Sequence, residues 1–280
     1  MNSELLSIAK EVAIKAGLAI MDVFVSEDFA TEYKADDSPV TKADKTANDI
    51  INSVLESTGL PVLSEENIQI PFSGRQSFTK YWLVDPLDGT KSFVRREPDF
   101  TVNIALIEND TPVLGVVYVP ATQKLYWGSV GGGAFIKEAG VQKQIHVSET
   151  AEPLRVVASK NHLDDATARF IEQFRNPDIK NIGSSLKILA IAEGTADIYP
   201  RLRPSCMEWD TAAAHAVLEA AGGYINDLEN KPLSYNKEDL LNPGFIATNN
   251  LKSFKIWSKF TQKVTVRTAQ KQKWPLKTLV

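Results

Sequence analysis

The spacing of apolar residues changes twice along this chain of 280 residues, and this change limits the folds open to it. Residues 3–25 and 47–55 carry apolar side chains at intervals of three or four, which is typical of amphipathic helices. Apolar runs rich in β-branched residues then follow, separated by turn residues, at 81–84, 101–107, 113–119 and 125–128. Beyond residue 150, predicted helices and short strands alternate. We therefore predict an α+β half followed by an α/β half.

The second half has helical patterns at 164–175, 185–193 and 210–221 and strand patterns at 154–159, 196–199, 224–226 and 245–248. No repeat or low-complexity linker separates the halves, so we expect them to pack closely around a cleft. We assign residues 1–150 to an α+β domain with an antiparallel sheet and most metal ligands, 151–250 to an α/β domain, and 251–280 to a basic extension.

Composition excludes several classes of protein. The apolar fraction of 43% and the charged fraction of 24% are unlike those of disordered, collagen-like or disulfide-rich chains. The single cysteine, Cys206, cannot form a disulfide within the chain, and we expect it to be a small buried residue. No apolar run is long enough for a membrane span and the N-terminus does not resemble a signal peptide, so a cytoplasmic protein is expected.

Charge is unevenly distributed along the chain. The net charge is −4, yet the segment from Leu251 onward holds eight basic residues and no acidic one. The acidic remainder argues against nucleic acid polymers as partners and suits a protein that gathers carboxylates around metal. We predict that the tail is solvated or docks on the protein itself. The alternative is a peripheral contact with an anionic membrane surface. The oligomeric state is left open.

The sharpest chemical signal is the segment 85–90, Asp-Pro-Leu-Asp-Gly-Thr, which directly follows an apolar strand. Two carboxylates held by a rigid turn at a strand end are costly unless a cation neutralises them. The backbone N–H groups of Gly89 and Thr90 would then offer a place for a phosphate. Taken alone, the same segment is also compatible with an acidic β-turn.

Three further carboxylates lie at the ends of predicted elements. Glu65 follows the apolar strand 61–63, and Asp210 opens the helix 210–221. Asp44 lies in the first turn of the second predicted helix, which contains the pattern at 47–55 and for which Thr41 is the expected N-cap. Each has an ordinary alternative as a helix-end charge or a solvated loop residue. Four such positions drawn from both halves nevertheless favour a shared metal site. Clustered carboxylates suit Mg2+, and two ions about 3.5–4 Å apart can clamp a phosphoryl group.

Together these motifs resemble the signatures of the inositol monophosphatase superfamily, over roughly residues 3–248. The carrying segments are Glu65-Glu66, 85–90, 209–213 and Gly222-Gly223. The closest resemblance is to the CysQ-type branch, the 3′(2′),5′-bisphosphate nucleotidases, through segments 38–44, 81–93, 100–106, 114–118, 183–187 and 242–245. The resemblance implies a layered αβαβα sandwich of the inositol monophosphatase and fructose-1,6-bisphosphatase type.

The resemblance also implies roles for single residues. The implied metal ligands, for two or three Mg2+ ions, are Glu65, Asp85, the Leu87 carbonyl, Asp88 and Asp210. The implied catalytic residues are Thr90, Asp44 and Glu65. The implied reaction is hydrolysis of the 3′-phosphate of adenosine 3′,5′-bisphosphate to AMP and phosphate by a metal-activated water, with sensitivity to Li+ and a role in sulfur metabolism.

A nucleotide site is implied as well. Its residues are Glu65, Leu87, Asp88, Gly89, Thr90, His162, Ser184, Lys187, Arg201 and Asp210. Ser184 and Lys187 open a predicted helix and, with Arg201, would hold the second phosphate, whereas His162 would lie near the adenine. A lysine on a helix is more often simply solvated. The other two histidines, at 146 and 215, have no ligand spacing and are interpreted as structural.

Other functions are compatible with parts of the pattern. Within the superfamily, the substrate is alternatively an inositol phosphate or a sugar (bis)phosphate. A haloacid-dehalogenase-type phosphatase carries a motif similar to 88–90, but here the preceding carboxylate lies three residues back, across Pro86. The non-enzyme alternative is a metal- or nucleotide-binding sensor or a membrane adaptor, which the loss of a ligand or of Thr90 would favour.

Overall fold

The structure, a computed structural model, describes residues 2–26, 29, 31–33, 39–67, 69–160 and 163–250. The helices are α1 Asn2–Val25, α2 Lys42–Leu55, α3 Phe72–Arg75, α4 Thr90–Val94, α5 Asp165–Ile171, α6 Leu186–Ala192 and α7 Glu208–Ala220. The strands are β1 Glu32–Tyr33, β2 Pro39–Val40, β3 Val62–Ser64, β4 Lys80–Asp88, β5 Thr101–Glu108, β6 Thr111–Val119, β7 Lys124–Ser129, β8 Gly133–Glu138, β9 Val141–Ile145, β10 Arg155–Ser159, β11 Asp178–Ile182, β12 Ile198–Arg201, β13 Tyr224–Asp227 and β14 Phe245–Thr248.

Most strands belong to two sheets. Seven strands form the first sheet in the order β3-β4-β5-β6-β7-β8-β9, with β3 parallel to β4 and every other pair antiparallel. Five strands form the second sheet in the order β11-β10-β12-β14-β13. There, β10 is parallel to both neighbours, whereas β14 is antiparallel to β12 and β13. The second sheet is therefore mixed.

The sheets and helices stack in five layers. Helices α1 and α2 cover one face of the seven-stranded sheet, where Ile51 and Trp82 share a fully buried core. The opposite face packs against α6 and α7, and Val217 of α7 shares this second core with Tyr199 of the five-stranded sheet. Helix α5 covers the outer face of that sheet through Phe170. The αβαβα sandwich that the sequence implies is thus confirmed.

Strand β4 runs through the centre of this arrangement. Tyr81 and Leu83 belong to the core shared with α7, while Trp82 and Val84 belong to the core beneath α1 and α2. Because both faces of the strand are covered, its sequence is a continuous apolar run without polar alternation. Full burial of each large apolar side chain contributes about 1.5–3 kcal/mol. This burial carries Asp85, near the C-terminal end of the strand, into the interior.

The predicted helices and strands are largely confirmed, with a few differences. The helix predicted over 164–175 ends at Ile171, and the turns after it lead to Asn176, which has a positive φ of 47°, and to Pro177. Strands β8, β9 and β11 are absent from the prediction. Of these, β9 and β11 are edge strands whose residues are mostly exposed and polar, so they lack the apolar pattern of a buried strand. The division into two domains stays a prediction.

The basic extension over residues 251–280 lies outside the described residues, so neither the predicted solvated or self-docked tail nor the alternative membrane contact is tested. Among the residues that are described, no helix combines the length and apolar character needed to cross a bilayer.

Candidate active site

A cavity of about 250 Å³ lies where β4 and α4 meet α6, β12 and α7. The predicted site residues on its wall are Glu65, Asp85, Leu87, Asp88, Gly89, Thr90, Ser184, Lys187, Arg201 and Asp210. Asp44 lies directly behind the wall, where it accepts a hydrogen bond from Thr90. His162 lies outside the described residues. Apart from His162, the sequence therefore identified residues that the fold brings together from both halves of the chain.

A bulge in β4 turns Asp85 and Asp88 toward the same side of the sheet. Asp85 pairs with Asn103 and Asp88 with Thr101, so β4 spans three steps where β5 spans two. Side chains alternate along a regular strand, and residues three apart would otherwise face opposite sides. Both aspartates line the cavity as a result. Pro86 is compatible with this irregularity because it has no N–H to contribute to a ladder.

Three carboxylates converge at this bulge. Oxygen atoms of Glu65, Asp85 and Asp210 all lie within 4.8 Å of one another. Burial, reinforced by the neighbouring carboxylates, raises the pKa values of Asp85 and Asp210 well above their ordinary range. Burial also raises the pKa of Asp88. Ionised groups this close repel one another unless a cation lies between them, and hard oxygen donors suit a divalent cation.

Asp44 and Asp210 occupy equivalent positions, as the third residues of α2 and α7. In each helix, one carboxylate oxygen accepts the backbone N–H of the N-cap residue, at 2.7 Å from Thr41 in α2 and 2.8 Å from Met207 in α7. The second oxygen of Asp44 accepts the Thr90 hydroxyl at 3.1 Å. Helix capping therefore fixes the orientation of both carboxylates, one behind the cavity wall and one on it.

Thr90 begins α4 immediately after a tight turn. The turn requires glycine, because Gly89 has a φ of 94° and an added Cβ would lie 2.6 Å from the carbonyl oxygen of Asp99. The Thr90 hydroxyl lies 3.1 Å from both Asp44 Oδ1 and the Leu87 carbonyl oxygen. Burial raises the pKa of Asp44 to about 6, against the opposing effect of its hydrogen bonds. This hydrogen bond places the Asp44 carboxylate where it can accept a proton relayed through the Thr90 hydroxyl.

Two buried cations line another part of the cavity wall. Lys187 is 8% exposed and donates to the Ser184 carbonyl at 2.5 Å. Arg201 is 7% exposed and donates to the Tyr199 hydroxyl at 3.3 Å and the Ser205 carbonyl at 3.0 Å. Within the described part of the chain, neither forms an ion pair, and Arg201 Nε has no hydrogen-bond partner. Burial lowers the pKa of Lys187. Unpaired buried cations of this kind suit an anionic ligand.

Several cavity residues are absent from the sequence prediction. Ser185 donates its backbone N–H to Asp88 Oδ2 at 2.6 Å, and its hydroxyl contacts Asn103 and Thr101 of β5. The sequence did hold a signal for this contact: Thr101 and Asn103 are polar residues at alternate positions, on one face, of an otherwise apolar strand.

Cys206 also lines the cavity, and its side chain is half-buried. Desolvation inside the cavity raises the pKa of its thiol to about 12. A thiol that stays protonated is a poor nucleophile.

Comparison with known proteins identifies the family of the chain. The sequence model of the Inositol monophosphatase family matches residues 1–272. The protein called 3′(2′),5′-bisphosphate nucleotidase CysQ in Salmonella typhimurium is 46% identical over 243 residues, which cover 85% of this chain and 97% of the relative. The protein of the same name in Escherichia coli K12 is 46% identical over 239 residues, which cover 84% and 96% of the two chains.

Solved structures give the same assignment. CysQ from Bacteroides thetaiotaomicron, described as a bacterial member of the inositol monophosphatase family, superposes with a TM-score of 0.79 at 39% identity, over 88% of this chain and 98% of that one. An inositol monophosphatase (IMPase) of Thermotoga maritima superposes with a TM-score of 0.76 at 26% identity, over 94% and 100%. From its sequence, its layered fold and these relatives, the chain belongs to the inositol monophosphatase family.

Proposed function

We propose that this protein is a Mg2+-dependent 3′(2′),5′-bisphosphate nucleotidase that converts adenosine 3′,5′-bisphosphate and water to AMP and phosphate. The observation that best supports this function is the composition of the cavity wall, which combines clustered carboxylates with the two buried cations Lys187 and Arg201. A substrate with two phosphates can place one beside metal ions held by the carboxylates and the other beside the two cations. The relatives of 46% identity that carry this enzyme name support the same reading.

The carboxylate part suits the phosphate that is cleaved. The side chains of Glu65, Asp85, Asp88 and Asp210, with the Leu87 carbonyl, would hold two or three Mg2+ ions. The pKa values of Asp85 and Asp210 support this assignment, since burial and neighbouring carboxylates raise both and a bound cation would offset these effects. Bound Mg2+ supplies positive charge that activates water and stabilises the charge on the leaving oxygen.

Thr90 and Asp44 would accept the proton that the attacking water loses. The Thr90 hydroxyl donates to Asp44 Oδ1 at 3.1 Å, so a water beside Thr90 can pass its proton toward that carboxylate. The water oxygen bonds to phosphorus as the bond to the 3′-oxygen breaks, and that oxygen takes up a proton. Glu65 would help to position the water. The backbone N–H groups of Gly89 and Thr90 would hold the phosphate oxygens, and no covalent phospho-enzyme forms.

The cationic part suits the second phosphate. Lys187 and Arg201, with Ser184, would bind the 5′-phosphate, which would supply an anionic partner to two buried cations that form no ion pair among the described residues. Inositol 1-phosphate has no second phosphate, so it would leave both cations unpaired inside the cavity. Fructose 1,6-bisphosphate has two phosphates and is the stronger competing substrate on this ground.

Substrate comparison tests the proposal directly. Phosphate release is measured from adenosine 3′,5′-bisphosphate, inositol 1-phosphate and fructose 1,6-bisphosphate, each with Mg2+ and with a chelator. We expect chelator-sensitive activity with a strong preference for the nucleotide. Preference for either of the other substrates would keep the metal site and exclude the nucleotide assignment. Asp88→Asn should abolish turnover while the circular dichroism spectrum stays unchanged, because it weakens a ligand without altering side-chain volume.

A further inference from the structure

We propose that Thr101, Asn103 and Ser185 form a positioning unit that holds the carboxylate of Asp88 in one orientation for metal binding. This inference deepens the proposed function and rests on it. None of the three residues is an implied ligand or substrate contact. Their exposures are 0%, 1% and 3%, so their polar groups are satisfied by one another rather than by solvent.

The unit is a closed triangle of side-chain oxygens. Ser185 Oγ lies 2.9 Å from both Asn103 Oδ1 and Thr101 Oγ1, and Thr101 Oγ1 lies 3.2 Å from Asn103 Oδ1. With its amide oxygen engaged by hydroxyls, Asn103 presents its Nδ2 to Asp88 Oδ2, at 3.5 Å. The hydroxyl groups of Thr101 and Ser185 therefore fix the orientation of the Asn103 amide.

The triangle also fixes the stronger donor to Asp88. The backbone N–H of Ser185 reaches Asp88 Oδ2 at 2.6 Å, and the residue before it, Ser184, adopts a positive φ of 45°. A non-glycine residue in that region is held there by its surroundings. The anchored Ser185 hydroxyl supplies such a restraint. Both N–H donors converge on Oδ2, which leaves Asp88 Oδ1 as the oxygen available to a cation.

The unit joins two parts of the chain that are distant in sequence. Thr101 and Asn103 belong to β5 of the seven-stranded sheet, whereas Ser185 directly precedes α6, which carries Lys187. Second-layer hydrogen bonds that orient a ligand typically change metal affinity by about 10–100-fold when they are removed. The same bonds hold the α6 end of the cavity against the metal end.

The test uses an isosteric pair of variants of the full chain. Thr101→Val removes the hydroxyl and keeps the shape, whereas Thr101→Ser keeps the hydroxyl. Mg2+ binding is measured by isothermal titration calorimetry without nucleotide, and thermal unfolding is recorded with chelator. We expect Thr101→Val to weaken Mg2+ binding about 10-fold or more, and Thr101→Ser to stay within about twofold of the wild type. Ser185→Ala, which keeps the backbone N–H but loses the anchor, should also weaken binding and serves if Thr101→Val does not fold.

A matched control separates positioning from general stability. Thr248→Val removes another fully buried threonine hydroxyl, which donates to the Asp197 carbonyl at 3.0 Å away from the cavity wall. It should lower the melting temperature without changing Mg2+ affinity. The proposal is overturned if Thr101→Val and Ser185→Ala lose stability as this control does but bind Mg2+ like the wild type. Asp88→Asn is titrated in parallel: if it binds Mg2+ normally, the metal assignment itself is wrong.

Discussion

Gly115 of β6 and Gly128 of β7 lie directly opposite each other beneath helix α7. A Cβ atom at Gly115 would lie 2.0 Å from the carbonyl oxygen of Ala213, and one at Gly128 would lie 2.8 Å from Val217 Cα. The helix backbone can therefore rest on the sheet only where no side chain intervenes. Because Asp210 is in the first turn of α7, the two glycines determine how closely this carboxylate approaches the bulge in β4.

Gly115→Ala should therefore impair metal binding as well as folding. The added methyl group has no space, so helix α7 must move away from the sheet and take Asp210 with it. We expect a loss of about 1–3 kcal/mol in the free energy of unfolding, as for other overpacked cores. Mg2+ affinity should fall as well. Urea denaturation and calorimetric Mg2+ titration measure the two effects.

Gly140→Ala is the control for this change. Gly140 has a φ of 80° and no atom within 4 Å of an added Cβ, so the substitution costs only backbone strain, about 1–2 kcal/mol. Its Mg2+ affinity should equal that of the wild type. Normal Mg2+ binding by Gly115→Ala would show that α7 tolerates the displacement and that the glycines do not control Asp210.

Removing one buried charge should stabilise the metal-free protein. Asp85 is 1% exposed, and its pKa is raised by burial and by repulsion from Glu65 and Asp88. Asp85→Asn keeps the shape of the side chain and removes the cost of burying an ionisable carboxyl beside two others. In chelator, the melting temperature should rise, by about 2–4 °C for each kcal/mol of repulsion relieved.

Mg2+ should reverse this order of stability. The wild type should gain melting temperature on Mg2+ addition, whereas Asp85→Asn should gain little, because binding to the native state alone stabilises it. Asp49→Asn, which changes an exposed aspartate on α2, should alter neither measurement. A lower melting temperature for Asp85→Asn in chelator would mean that the buried carboxylates do not repel one another.

The site residues that the sequence identified carry local signals. Asp44 and Asp210 stand at helix starts, and Asp85 and Asp88 end an apolar strand, so each could be found from a short window. Their convergence could not be derived in this way. It depends on the bulge in β4, and a bulge is defined only against the register of the paired strand β5.

Long-range contacts explain what the sequence did not reveal. The Ser185 N–H meets Asp88 across 97 positions of sequence, and the clearance that Gly115 provides matters only because α7 lies above it. An isolated serine or glycine gives no sign of such a role. The layered fold, by contrast, follows from apolar periodicity that repeats over whole elements, and was therefore accessible.

Lys187→Met should change which nucleotides are used. Methionine has a similar length but no charge, so the cavity loses one of the two cations that would hold the second phosphate. We expect the KM for adenosine 3′,5′-bisphosphate to rise about 10–100-fold, corresponding to the roughly 1.5–3 kcal/mol of a charged hydrogen bond. Turnover of 3′-AMP, which has one phosphate, should change little. Steady-state phosphate release with both substrates measures the difference.

Lys231→Met is the control for the lysine variant, because Lys231 is exposed and forms an ion pair with Glu229, which is exposed as well. It should leave both KM values unchanged. An equal loss of activity toward 3′-AMP and adenosine 3′,5′-bisphosphate in Lys187→Met would place the lysine in general cavity structure rather than in recognition of the second phosphate.

Thr90 should affect turnover more than substrate affinity. Its hydroxyl links the expected position of the attacking water to Asp44, so Thr90→Val should lower kcat by about 100-fold or more while KM changes less than about threefold. Thr90→Ser keeps the hydroxyl and should retain most of the activity. Calorimetry should give the same Mg2+ affinity for both variants, since the Thr90 side chain is not among the proposed ligands. Loss of Mg2+ binding in Thr90→Val, restored in Thr90→Ser, would instead assign the hydroxyl to metal binding and would leave Asp44 without a route to the water.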